Sequence, residues 1–158
     1  MENEKHAALA AEIEIQTNTM LGNIVPPLSH DAELAFKTLA ASGCFVSHAV
    51  GFHGKTPDEA LAFRTLMREN LATQAFLHLS SSKNIVAQLY GLSGLFLLDK
   101  SAYEIRAKAI LENDGDVCTV LGCIISREPV ASVIGTGDAK RWEISGGVWP
   151  NALAGALR

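Results

Sequence analysis

Apolar residues recur at helical spacing along most of this chain, and the period is broken at identifiable residues. Ala, Leu9 and Ile13 space themselves over residues 4–16 with Glu12 between them, which predicts a first helix. Gly22 to Leu28 carries Pro26 and Pro27 and must be a linker, because proline supplies no backbone donor and fixes its own φ. Ser29 is placed to cap a second helix, with Leu34, Ala35, Phe36 and Leu39 as its apolar face and Gly43 at the position for a left-handed C-terminal residue. Cys44 to Gly54 leans toward β structure between glycines, which predicts a short strand or an extended loop.

Thr56, Pro57 and Glu59 form a capping box with proline at the first helical position, and a helix follows to about Asn70, burying Leu61, Phe63, Leu66 and Met67. Leu71, Ala75, Phe76 and Leu79 continue the period up to Ser80-Ser81-Ser82, with a further break near Asn70. Lys83 to Asp99 is apolar nearly all round, the pattern of a central helix covered on several sides. Gly91 and Gly94 inside it each weaken a helix by roughly 1 kcal/mol relative to Ala, so close approach of a neighbouring backbone is the expected gain.

Ser101 and Glu104 form a second capping box, opening a helix to about Glu112, and Asn113-Asp114-Gly115 turns the chain. Asp116 is then expected to cap a helix over 117–126, and Pro129 sets a boundary before a short helix at 130–134. The tail, 135–158, holds five glycines, Trp142 and Trp149, and is expected to be irregular apart from a strand at 141–144. The expectation is thus an all-α single domain: an N-terminal helix and linker at 1–28, a helical core at 29–134 and the Gly/Trp tail.

Length and composition fit one globular domain. At 158 residues, folding should bury roughly 70% of the surface that the unfolded chain exposes. With 48% apolar and 19% charged residues, disorder and low-complexity architectures are disfavoured. A net charge of −4 and the absence of basic runs argue against nucleic acid or an anionic membrane as partner. The longest apolar stretch, Ile85 to Leu98, is 14 residues, short of the roughly 20 that a span needs. The charged N-terminus lacks the order of a secretory signal, which leaves localisation open: a cytoplasmic chain is the expectation for the sequence as it stands, a periplasmic or exported one if a leader was removed ahead of Met1. Cys44, Cys118 and Cys123 are an odd set, expected as buried thiols; in an exported chain Cys44 pairs with either of the other two.

Four constellations invite chemistry. Gly54-Lys55-Thr56 has the end of a phosphate-binding loop, but the first glycine of that motif falls on Ala49 and Pro57 removes an amide, so the capping box explains it better. Glu112 to Asp116 has a calcium-loop flavour, but Gly115 as the sixth residue puts Ile110 first and Leu121 twelfth, and neither side chain ligates calcium. On a helix Cys118 and Cys123 would point about 140° apart, with no His nearby to complete a zinc set. Ser47, His48 and His53 among glycines gather a nucleophile and two bases, with Cys44 close by, yet in none of the familiar hydrolase spacings. No cofactor is expected.

A shift of 29 residues lays Leu92, Leu95 and Phe96 over Leu121, Ile124 and Ile125, and the helix-pair rhythm over 57–134 resembles the HEAT-like class of α-helical repeats. The phrases QLYGLSGLFLLD and GCIISREPV are similar to uncharacterised bacterial helical proteins. The resemblance implies binding surfaces built on exposed helix faces or connecting turns. The resulting expectation is a non-enzymatic protein-binding module, in one form a bacterial inhibitor or immunity protein, contacting another protein through His53, Lys55, Trp142 and Trp149. Self-association is left open. The alternative is a small hydrolase using the Cys44–Gly54 loop.

Overall fold

The computed structural model describes residues 1–50 and 57–134. Among these the chain is mostly helical, with a three-stranded sheet that the all-α expectation lacked. The order is α1 (Glu2–Asn23), α2 (His30–Ala40), β1 (Phe45–Val50), α3 (Asp58–Met67), α4 (Ala72–Leu79), α5 (Ile85–Leu98), α6 (Lys100–Leu111), β2 (Asp116–Gly122), β3 (Ile124–Pro129) and α7 (Val130–Ile134).

Side-chain caps open three of the described helices, α2, α5 and α6. Ser29 accepts from the Ala32 amide at 3.2 Å and opens α2 as its position in the sequence requires. Asn84 accepts from Val86 N to open α5, and its amide also donates to the Ala40 and Ser42 carbonyls, tying the start of α5 to the end of α2. The start of α6 departs from expectation. Asp99, accepting from Ala102 N at 3.1 Å, caps it two residues before Ser101. Pro57 stands as the cap residue of α3, where the first helical turn was expected, and Thr56 lies outside the described residues. Helix α1 outruns its expected end at residue 16, and only Thr17 and Met20 of it are buried.

Helix α5 is the centre. Val86, Ala87, Leu89, Tyr90, Leu92 and Leu95 are buried, and the helix packs against α2, α3, α4, α6, β1 and β2. Gly91 and Gly94 face α4: a Cβ on Gly91 would fall 2.7 Å from the Phe76 carbonyl oxygen, and one on Gly94 would overlap the Phe76 ring. The expected close approach is therefore present, with backbone at Gly91 and an aromatic face at Gly94. Leu34 and Leu61, expected inside, are exposed and line a shallow groove between α2 and α3, and Leu97 near the end of α5 is exposed as well.

The sheet order is β1-β2-β3, with β1 parallel to β2 and β2 antiparallel to β3. Residues 116–129 are this hairpin, where a cap at Asp116 and a helix over 117–126 were expected. Val117 and Thr119 are buried while Cys118 and Val120 are partly exposed, a period of two that β-branched side chains favour. The 29-residue echo therefore lays part of α5 over the hairpin turn.

Tyr90 joins the helical centre to the sheet. Its hydroxyl accepts from Val46 N at 3.0 Å and donates to the Cys44 carbonyl, and its ring meets Phe45 edge-on at 4.9 Å. Burial, reinforced by the charge of Glu59, raises the phenol well above its ordinary value, while the bond from Val46 opposes the shift. A folded-state value above the unfolded one contributes stability that is complete below about pH 10 and is lost as pH rises beyond it. Tyr90→Phe is therefore expected to flatten that alkaline loss. It should also destabilise the protein at pH 7 by about 1–3 kcal/mol, because Val46 N is left without its acceptor. Urea titrations at pH 7 and pH 10.5 measure both effects, and an unchanged alkaline slope would refute the assignment.

Candidate functional site

None of the four residues expected to contact a partner lies in the described structure: His53 and Lys55 fall in 51–56, and Trp142 and Trp149 fall in 135–158. Ser47 and His48 are in β1 and so belong to a strand, while His53 of the same constellation lies outside. Cys44, the other member, is bonded to Cys118, and a disulfide sulfur carries no thiolate for nucleophilic attack. The expectation of three reduced thiols is thereby corrected: Cys44, just before β1, is joined to Cys118 in the adjacent parallel strand β2, with Cα atoms 4.6 Å apart, and Cys123 is free and exposed. Strand geometry also replaces the helical angle assigned to Cys118 and Cys123.

The acidic turn after α6 is satisfied locally. Asn113 Oδ1 accepts from Gly115 N at 2.8 Å, and Gly115 O accepts from Val130 N, closing the open end of the hairpin. Among the described residues no group of three His, Cys, Asp or Glu is placed to hold a metal ion. No described helix is long and apolar enough to cross a membrane. A cleft of about 430 Å³ lies between α1 and α2, lined by Ile13, Glu14, Thr17, Asn18 and Lys37 among others. Two of its polar groups are engaged within their own helices: Lys37 pairs with Glu33 at 3.2 Å, and Thr17 Oγ1 donates to Ile13 O.

What the sequence did not single out is the β2–β3 turn. Gly122 and Cys123 form it, and Ile124 and Ile125 follow it at 66% and 75% exposure. Successive strand residues point to opposite faces, so two consecutive exposed isoleucines put apolar surface on both sides of the hairpin tip. Such a pair departs from the scattered single exposures normal on protein surfaces. At the other end of the strands, Thr119 Oγ1 is buried and donates to Glu128 Oε2 at 2.8 Å, and β3 leads directly into α7, whose Val130, Val133 and Ile134 are buried. The hairpin base is thus anchored and its tip bare.

One register pair relates the tip to the end of β1. Val50, the last residue of β1, lies beside Gly122, so β1 ends at the same end of the sheet as the Ile124–Ile125 tip. The signal for the tip was present in the sequence: two runs rich in β-branched residues, separated by the two-residue Gly122-Cys123 connection, are a hairpin pattern. Compared with known proteins, the chain matches no family model, no curated sequence and no solved structure.

Proposed function

We propose that this chain is a non-enzymatic protein-binding module whose contact surface is centred on the β2–β3 hairpin tip. The observation that carries the reading is the pair of exposed isoleucines, Ile124 and Ile125, on an element anchored at its base. Rigid anchoring matters because a contact that is already ordered loses less conformational entropy on binding than a free segment would. His53, Lys55, Trp142 and Trp149, which lie outside the described residues, are proposed as further contacts to the same partner protein. The scaffold behind the site is proposed as HEAT-like, and an inhibitor or immunity protein that plugs another enzyme is the concrete form of the module.

The test is site-specific photocrosslinking in the native host. A benzophenone side chain at position 124 is expected to trap one protein in stoichiometric amount, and the same group at exposed Lys108 on α6 is expected to trap none. With that protein in hand, Ile124→Ser/Ile125→Ser should weaken binding more than tenfold and move the melting temperature by no more than a few degrees, as an exposed contact requires. Equal crosslinking at both positions, or full affinity in the double variant, defeats the reading.

A further inference from the structure

We propose that the Cys44–Cys118 disulfide is a redox latch, which holds the β2–β3 hairpin on the helical body when oxidised and lets it swing away when a dithiol reduces it. The two sides of the bridge are held very differently. Cys44 precedes β1 at the point where Tyr90 grips the backbone, through Val46 N on one side and Cys44 O on the other, so it belongs to the α5 core. Cys118 sits in β2, which the buried side chains of Val117 and Thr119 hold to the body and whose backbone pairing with β1 is short. Phe45↔Thr119 and Val46↔Val120 are paired, and then the register shifts before Val50↔Gly122. An interrupted parallel ladder is a weak clamp, since parallel pairing is slightly less stable per residue than antiparallel.

Within the hairpin the ladder is continuous from Asp116↔Pro129 to Leu121↔Ile124, and Val130 N donates to Gly115 O at its base. On reduction the hairpin would therefore move as one piece, with Asn113 to Gly115 on one side and the β3–α7 junction on the other as its pivots. Cys44 and Cys118 are both partly exposed, so an external thiol can reach the bridge.

The chemistry balances as a two-electron exchange. One thiolate of a dithiol attacks a bridge sulfur, the Cys44–Cys118 bond breaks, and the other cysteine leaves as a thiolate. The second thiol of the reductant then attacks the mixed disulfide, releasing the remaining cysteine and closing the reductant's own disulfide. A disulfide oxidant runs the steps backward. The latch is accordingly closed in an oxidising compartment and open in a reducing one. This inference is independent of what binds the hairpin tip.

The experiment uses the full chain, purified without reductant. Alkylation before digestion should leave a linked Cys44–Cys118 peptide pair and label Cys123 alone. Amide hydrogen exchange is then followed with and without dithiothreitol. In the oxidised chain, Val117 to Val120 should be protected to within about tenfold of the α5 amides; on reduction their protection should fall at least a hundredfold below that of α5. Cys44→Ser/Cys118→Ser should show the reduced pattern without reductant, and Cys123→Ser the oxidised one. Should the double variant not fold, the reduced wild type carries the comparison. Three alkylated cysteines before reduction, a bridge that includes Cys123, or hairpin and α5 protections that fall in step or not at all would each overturn the latch.

Discussion

Leu89→Asp is expected to leave no folded protein at 25 °C. Leu89 is completely buried in α5, amid a helix that touches six other elements. Removing such a leucine side chain costs roughly 3–5 kcal/mol through lost transfer and an unfilled cavity. A carboxylate in the same place adds the penalty of an unpaired buried charge, or of the proton needed to neutralise it. The sum meets or exceeds the stability of a typical domain, about 5–15 kcal/mol. Far-UV circular dichroism and size exclusion of the soluble fraction test it, and a variant melting within a few degrees of wild type would remove α5 from the core. Phe96→Asp makes the contrast. Phe96 is only partly buried at the end of the same helix, edge-on to Tyr103 at 5.3 Å and with the Lys100 amine 5.2 Å from its ring. A carboxylate there can stay hydrated near a lysine, so a loss of about 1–3 kcal/mol is expected.

The identity of that central helix was legible because an all-round apolar run of 14 residues has few other homes in a chain of this size. The α2 cap at Ser29 and the short helix at 130–134 were legible for local reasons, a hydroxyl beside an apolar period and a proline that forces a boundary. The hairpin was misread because Asp116 looked like a helix cap and Val117 to Ser126 was long enough for a helix. What decides for strands is tertiary: β1 offers a parallel neighbour, and Val117 and Thr119 gain burial only at a period of two. The α6 cap was displaced for a similar reason. Asp99 and Ser101 both lie within reach of a helix start, and the sequence alone does not rank them. Leu34 and Leu61 fit an apolar face by spacing, but α2 and α3 meet along neighbouring positions and leave both at the groove rim.

The candidate site was less legible than the fold. Spacing could relate neither Gly122 to Val50 nor Cys44 to Cys118, because both pairings span more than seventy residues and exist only once β1 and β2 lie side by side. The sequence could say that Cys44 would have one partner out of two; the parallel register beside Phe45↔Thr119 selects Cys118 and leaves Cys123 at the turn. Exposure of Ile124 and Ile125 was likewise hidden, since consecutive isoleucines normally signal burial.

The Gly91→Ala/Gly94→Ala variant is expected to lose about 2–4 kcal/mol net, although each change alone favours an isolated helix. Alanine gains roughly 1 kcal/mol over glycine in a helix interior, so propensity predicts a more stable protein by about 2 kcal/mol. Packing reverses the sign. The Cβ of residue 91 would sit 2.7 Å from Phe76 O and 2.8 Å from Ser80 Cα, and it would press still closer on Ser80 N. These are backbone atoms of the last turn of α4, and the Phe76 carbonyl already accepts from Ser80 N at 2.9 Å, so they cannot rotate aside as a side chain can. At residue 94 the new methyl overlaps the Phe76 ring, which is itself fully buried and tilted against Phe63 at 5.1 Å. Relief requires α4 and α5 to separate, loosening contacts along a close-packed interface; overpacking of this kind costs about 1–3 kcal/mol per site and more where backbone must move. Arg106 adds resistance, because its guanidinium bonds Ser80 Oγ at 3.2 Å and Ser80 O at 2.9 Å and holds the end of α4 against α6. Urea denaturation of the two single variants and the double settles the matter. Gly91→Ala should be the worse single change, and a double variant as stable as wild type would mean that α4 and α5 do not meet at these glycines.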